Sequence, residues 1–252
     1  MNTDYVPLQS TKIAADYQRE WAKGLRAQIT SGEKFAFVNA DTPHELFHHM
    51  GVPIVTNQWW SAIIAAKQLS EFYFDFMQAS GFHDRLARYS SLPLIAELEG
   101  DTSRQPWGGL PTPSILCARQ SADDHQKVFS LWSEKTGAPL ALISSPAVPD
   151  PQADWWRLAR DDWETLYHTD RLDLMVAEFE ALIAQLEELT GKRFDRDSFA
   201  LYMERINEQE RIYEKAAALI AEAPQCPIRI SEQIPNVMIP QWHRGSDWAI
   251  EH

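Results

Sequence analysis

The residues with the most chemical potential come early in the chain. His44-Glu45-Leu46-Phe47-His48 has the spacing H-E-x-x-H, in which two histidines one helical turn apart bind zinc and the glutamate serves as general base. A catalytic zinc also needs a third protein ligand and an open position for water. Glu71 and Glu97 are available acids, but neither lies in a recognisable second motif. A structural reading competes for the same residues. Thr42-Pro43-His44-Glu45 has the pattern of a capping box, with Thr42 as N-cap, Pro43 at the first helical position and Glu45 at the third. Glu45 is then committed to the backbone of the helix start, and Gly51 and Pro53 end that helix early. The capped short helix is the expectation, with His44 and His48 kept as a zinc alternative.

Other candidates carry a bland reading beside the chemical one. Asp123-Asp124-His125 sets carboxylates beside an imidazole, yet acids in the first turn of a helix also answer the helix dipole. Trp59-Trp60 and Trp155-Trp156 offer flat surfaces for a ring, and tryptophan pairs equally anchor cores and interfaces. The sequence contains no G-x-S-x-G elbow, P-loop or G-x-G-x-x-G. Cys117 and Cys226 are too few for a disulfide framework and too far apart for a metal knuckle.

The elements that must position these residues follow from the apolar pattern. Lys34–Ala40, Val52–Thr56, Ser114–Ala118 and Pro139–Ser144 read as short strands closed by turn residues. Between them lie helices expected at Ile13–Thr30, from Pro43, over Asn57–Ala79 and over Asp123–Thr136. Such alternation predicts a parallel sheet flanked by helices. After Pro146 the turn-rich stretch Ala147–Asp154 leads into a long helical pair. Leu172, Met175, Val176, Phe179, Leu182, Ile183, Leu186 and Leu189 form the apolar stripe of the first, with Gly191 as its cap. The second runs from about Ser198 to Ala223, ahead of Pro224. Residues 245–252 resemble a capped helix just beginning. The expected organisation is an α/β domain over 1–150, a helical segment over 151–224, and a further domain or tail starting over 225–252.

Composition sets the outer limits. A chain of 252 residues, 44% hydrophobic and 11% aromatic, has ample core material and is not disordered. A net charge of −13 argues against nucleic acid and anionic membranes as partners. No apolar run approaches the roughly 20 residues that span a bilayer. The N-terminal peptide Met1–Tyr5 lacks the basic-then-apolar pattern of a secretory signal, so a cytoplasmic location is expected.

Five motifs then stand in a telling order. They are Pro43-x-Glu45-Leu46 with Gly51-x-Pro53, Leu110–Leu116 (LPTPSIL), Lys127-Val128-Phe129, Gly137-Ala138-Pro139 through Ser144-Ser145-Pro146, and Leu186–Lys192 with Asn207 and Arg211. Together they resemble the 2-hydroxyacyl-CoA dehydratase/benzoyl-CoA reductase family from about residue 40 to the end of the sequence.

The resemblance implies flavodoxin-like α/β domains in a subunit of an oxygen-sensitive heteromeric lyase or oxidoreductase that acts on acyl-CoA thioesters. Subunits of that family typically hold a [4Fe-4S] cluster through three cysteines, and an ATP-dependent activator supplies low-potential electrons that reduce the thioester carbonyl to a ketyl. The pattern departs here at the ligands. The first cysteine should fall near Ala87–Ser91 and the second at Asp123; the third belongs to a C-terminal domain expected to be absent from this chain. Asp123 and Cys117 remain as metal candidates. Glu45, Trp59 and Trp60 are the candidates for substrate contact. The expectation is therefore a chain without its own cofactor, paired with a homologous subunit that carries the [4Fe-4S] cluster, an acyl-CoA substrate and the activator. A non-catalytic structural or regulatory relative of the family and a zinc hydrolase are the alternatives.

Overall fold

Apolar runs without charged residues must be buried on both faces, and the early segments of this chain achieve that as a parallel sheet. The computed structural model describes residues 6–83, 87–145 and 152–252. In chain order the first elements are helix α1 (Gln9–Thr30), strand β1 (Ala36–Val38), α2 (His44–His49), β2 (Ile54–Thr56), α3 (Asn57–Ala66), α4 (Ser70–Ala79) and α5 (Arg88–Glu99). A 3-10 turn at Pro106–Gly108 precedes β3 (Ile115–Gln120), α6 (Asp123–Thr136) and β4 (Leu140–Ser144). Then come α7 (Trp155–Asp161), α8 (Trp163–Leu166), α9 (Thr169–Thr190), α10 (Arg196–Glu222), α11 (Ile230–Trp242) and α12 (Asp247–Glu251). The N-terminal peptide and most of the expected connector Ala147–Asp154 lie outside the described residues. No described helix is long and apolar enough to cross a membrane.

The strands lie in the order β2-β1-β3-β4, all parallel. This is a flavodoxin-like α/β sheet with flanking helices, as the resemblance implied. Register is set by Ala36 opposite Ile115 and Val38 opposite Cys117, and Cys117 in turn faces Ala141. The chain divides into two compact units: Met1–Lys34, Pro43–Ile54 and Lys192–His252 form one, Phe35–Thr42 and Val55–Gly191 the other.

The sheet unit is organised around Phe37, which is fully buried. Its ring stacks on Trp132 at 4.4 Å and on Phe129 at 5.7 Å, both from α6. The expected helix Asn57–Ala79 is two helices. Gln68 takes a left-handed conformation (φ 59°), and the chain turns there before α4 starts. Helix α5 gave no sequence signal, because Pro93 lies inside it and residues 90–96 are all buried, leaving no polar stripe to read. At the end of α9, Gly191 (φ 70°) sends its N–H to the Glu187 carbonyl, as a C-terminal cap does.

The other unit contains α1, α2, α10, α11 and α12. Asp195 caps α10 by accepting the N–H groups of Asp197 and Ser198, and Ser246 caps α12 by accepting the Ala249 N–H at 3.1 Å. Helices α1 and α11 pack together; Asn236 Nδ2 donates to Thr11 Oγ1 at 2.8 Å and the Leu8 N–H to Glu232 Oε1 at 2.7 Å. Gly245 has φ 70°, and a Cβ there would stand 2.7 Å from the Tyr202 ring.

The capping box at α2 does not form. Pro43, not Thr42, is the N-cap, and no side chain caps that end. The Thr42 hydroxyl donates instead to the Asn39 carbonyl at 2.7 Å, and Glu45 pairs with Arg244. A local turn bond and an arginine have taken both halves of the motif. Because Phe37 fills the space between β1 and α6, Phe37→Ala is expected to cost about 3–5 kcal/mol. A lowered urea midpoint at unchanged slope would show it.

Candidate functional site

In an open parallel sheet, ligands bind beyond the C-terminal ends of the strands, where the strand order reverses. Here the chain runs outward from β1 to β2 and returns on the opposite side of β1 as β3. The reversal point lies between the ends of β1 and β3. Those ends are tied, because the Asn39 N–H continues the ladder by donating to the Cys117 carbonyl at 2.9 Å.

Polar side chains from five segments converge at this point. After β1, the Ala40 N–H donates to Gln58 Oε1 at 2.9 Å, and Gln58 Nε2 donates to Asn39 Oδ1 at 2.5 Å. Asn39, only 1% exposed, reaches Asp41 Oδ1 at 2.6 Å and His125 Nδ1 at 3.1 Å through Nδ2. From the turn after β3, Ser121 Oγ donates to Asp41 Oδ2 at 2.8 Å and lies 3.3 Å from His125 Nδ1. His125, in the first turn of α6, has its Nε2 3.3 Å from Ser90 Oγ and 3.7 Å from Asp124 Oδ2. Ser90 is positioned from α3: Asn57 Nδ2 donates to its carbonyl at 3.0 Å, and the Ser61 hydroxyl donates to the Tyr89 carbonyl at 2.8 Å. Tyr89 is half exposed and donates its phenol proton to the Gln58 carbonyl at 2.6 Å.

The structure thus gathers the two places where the resemblance sets cluster ligands. Ser90 falls within Ala87–Ser91, and the imidazole it meets stands two residues after Asp123, at the same helix start. The donors collected there are amides, hydroxyls, an imidazole and carboxylates. They do not make the thiolate set that a [4Fe-4S] cluster takes. Cys117 is completely buried in β3, where burial, and after it the nearby Asp41 carboxylate, pushes its thiol far up and keeps it protonated. A protonated thiol is a poor ligand. Cys226 belongs to the other unit, exposed, with its thiol on the Ile228 carbonyl at 3.2 Å.

The remaining candidates are dispersed. Trp59 and Trp60 are buried in the sheet unit, and Trp107 lies on both at 6.1 and 5.9 Å between ring centroids. Trp155 and Trp156 are exposed, not core. His44, Glu45 and His48 belong to the other unit. There Arg244 holds Glu45 Oε1 at 2.5 Å with one end of its guanidinium and Glu210 Oε1 at 2.8 Å with the other. A carboxylate engaged in that way is not available as a zinc enzyme's base. Among the described residues no three His, Cys, Asp or Glu side chains gather as a metal site.

That unit has a cavity of its own, about 250 Å³, lined by Trp21, His48, Tyr202, His243 and Arg244. Both histidines are held neutral. Burial, assisted by the neighbouring His44 and His243, lowers His48 to about 3, and burial lowers His243 to about 4. His243 Nε2 meets Gln18 Oε1 at 2.7 Å, and Tyr17 and Trp21 set their rings edge-on against it.

A flavodoxin-like sheet with a polar cluster at its reversal point describes many ligand-binding proteins, and sequence comparison narrows the class. The family model for the 2-hydroxyglutaryl-CoA dehydratase D-component matches residues 39–252, and the chain belongs to this family. Among individual proteins, it is 25% identical over 194 residues to the (R)-phenyllactyl-CoA dehydratase alpha subunit of Clostridium sporogenes, a match that covers 77% of this chain and 44% of that subunit. The chain therefore spans less than half the length of this curated relative.

Sequence reasoning reached His125 as part of a carboxylate–imidazole pattern at an acidic helix start and Ser90 only within the stretch Ala87–Ser91, and it did not reach Asn39, Asp41, Gln58 or Ser121. Isolated amides and hydroxyls carry no spacing motif; their one legible signal was position, just past a strand or at a helix start.

The neutral histidines predict a pH dependence. The unfolded chain binds protons at these sites near pH 6.5, whereas the folded chain resists until about pH 4 at His243. Protons therefore favour the unfolded state across that window, and stability falls as pH drops from 6.5 towards 4. Denaturation curves at pH 7.5, 6 and 5 should show the decline, and it should be shallower in His243→Gln.

Proposed function

We propose that this chain is a subunit of an acyl-CoA dehydratase-type complex that holds the thioester end of the substrate and carries no iron–sulfur cluster itself. The observation that carries the proposal is the meeting of Ser90 and His125, each at or beside a position where the resemblance sets a ligand, within a group of oxygen and nitrogen donors past the strand ends. This group also selects which part of an acyl-CoA it takes. Asp41 and Asp124 set negative charge beside it, which repels the pyrophosphate and the 3′-phosphate of CoA. The uncharged thioester and acyl group suit the neutral donors and the exposed Tyr89 ring. On this reading a longer homologous subunit holds the [4Fe-4S] cluster, and an ATP-dependent activator serves that subunit. The name of the clostridial relative, an alpha subunit of a dehydratase for a 2-hydroxyacyl-CoA, supports a substrate of that class.

Two measurements test the proposal. Calorimetric titration of the chain should show binding of phenyllactyl-CoA that exceeds binding of free CoA; equal affinity for both would refute a thioester site. Anaerobic reconstitution with iron and sulfide should leave no stoichiometric cluster on this chain after gel filtration. When the chain is co-expressed with a cysteine-bearing homologous subunit, the iron should follow the partner. A full cluster on the isolated chain would overturn the assignment.

A further inference from the structure

The bonding order around Asn39 determines which nitrogen of His125 carries the proton. A backbone N–H can only donate, so the Ala40 N–H fixes the Gln58 oxygen towards itself at 2.9 Å and leaves Gln58 Nε2 to donate to Asn39 Oδ1 at 2.5 Å. Asn39 is thereby fixed with its oxygen towards Gln58 and its NH2 group towards Asp41 and His125 Nδ1. The Asp41 carboxylate, an acceptor only, agrees with that orientation and also takes the Ser121 hydroxyl proton at 2.8 Å. His125 Nδ1 thus accepts a hydrogen bond from the Asn39 NH2 group, so the neutral ring carries its own proton on Nε2. That N–H points towards Ser90 Oγ at 3.3 Å, and the His125 side chain is 19% exposed.

The geometry points to His125 as the electrophilic contact of this site: its Nε2–H donates a hydrogen bond to the carbonyl oxygen of the bound thioester, and Asn39 is the positioning residue that keeps the proton on that nitrogen. The assignment rests on the thioester reading above. No covalent bond is made or broken by the imidazole. It replaces part of the carbonyl's hydration with a fixed donor, and that donor strengthens as negative charge grows on the oxygen. Asp124, 3.7 Å from Nε2, lies beyond hydrogen-bond distance; the Ser90 hydroxyl at 3.3 Å is the partner whose place the carbonyl oxygen takes.

The test pairs a spectroscopic measurement with a binding one. In the 15N-labelled chain at alkaline pH, long-range 1H–15N spectra should show one neutral histidine with bare Nδ1 and protonated Nε2 that disappears in His125→Gln. Asn39→Asp, which sets an acceptor against Nδ1, should move the proton to Nδ1. A bare Nε2 in the unmodified protein overturns the inference, whatever the variants do. For binding, phenyllactyl-CoA is compared with its thioether analogue, in which a methylene replaces the carbonyl. The unmodified chain should prefer the thioester by about tenfold. His125→Phe should lose that preference while still binding the thioether, and His125→Gln, whose amide also donates, should keep most of it. Unchanged preference in a folded His125→Phe refutes the role of His125 alone. Failure of the unmodified chain to bind either analogue refutes the thioester site as well.

Discussion

A single backbone N–H directs the polar end of the sheet. Ala40 lies two residues past β1, and its N–H donates to the Gln58 side chain of α3. From that bond the orientations of two carboxamides and one imidazole follow in sequence, each leaving its neighbour one remaining role. Such a chain tolerates little error, since reversing any member leaves two donors or two acceptors face to face in a buried place. It works because Asn39 is the first residue beyond β1, where its own N–H is still paired to β3. The regular ladder supplies rigidity, and the first residues beyond it supply function.

Family membership and local chemistry pull apart at this end of the sheet. The backbone keeps the architecture in which Ser90 and the start of α6 come together, yet the side chains there are not those that hold iron. On the proposed reading, the same geometry presents a thioester to neutral donors in place of a metal. Asp41 and Asp124 lie beside these donors, and they add to the chain's net charge of −13.

The parts legible in the sequence were those written by local rules. The four strands were visible as short runs, trimmed in the structure by one or two residues at some ends, with β3 running two residues further to Gln120. Asp123–Thr136 and Gly191 were readable from helix-start acids and a terminal glycine. Illegible parts depended on tertiary contacts. Thr42 and Glu45 spelled a capping box, but a turn carbonyl and Arg244, 199 positions further on, offered better partners. Helix α5 hid behind Pro93 and its uniform burial. The site itself joins residues from 39 to 125, and no spacing rule connects an asparagine at a strand end to a histidine in a distant helix.

The contrast between the two cysteines has a practical consequence. Cys117 lies sealed in the centre of the sheet and Cys226 stands in solvent, so alkylating reagents meet one reactive sulfur per folded chain. A fluorophore or spin label will attach at Cys226 without any mutagenesis. The second sulfur becomes reactive only when β3 separates from its neighbours, which makes pulsed alkylation an internal clock for the opening of the sheet.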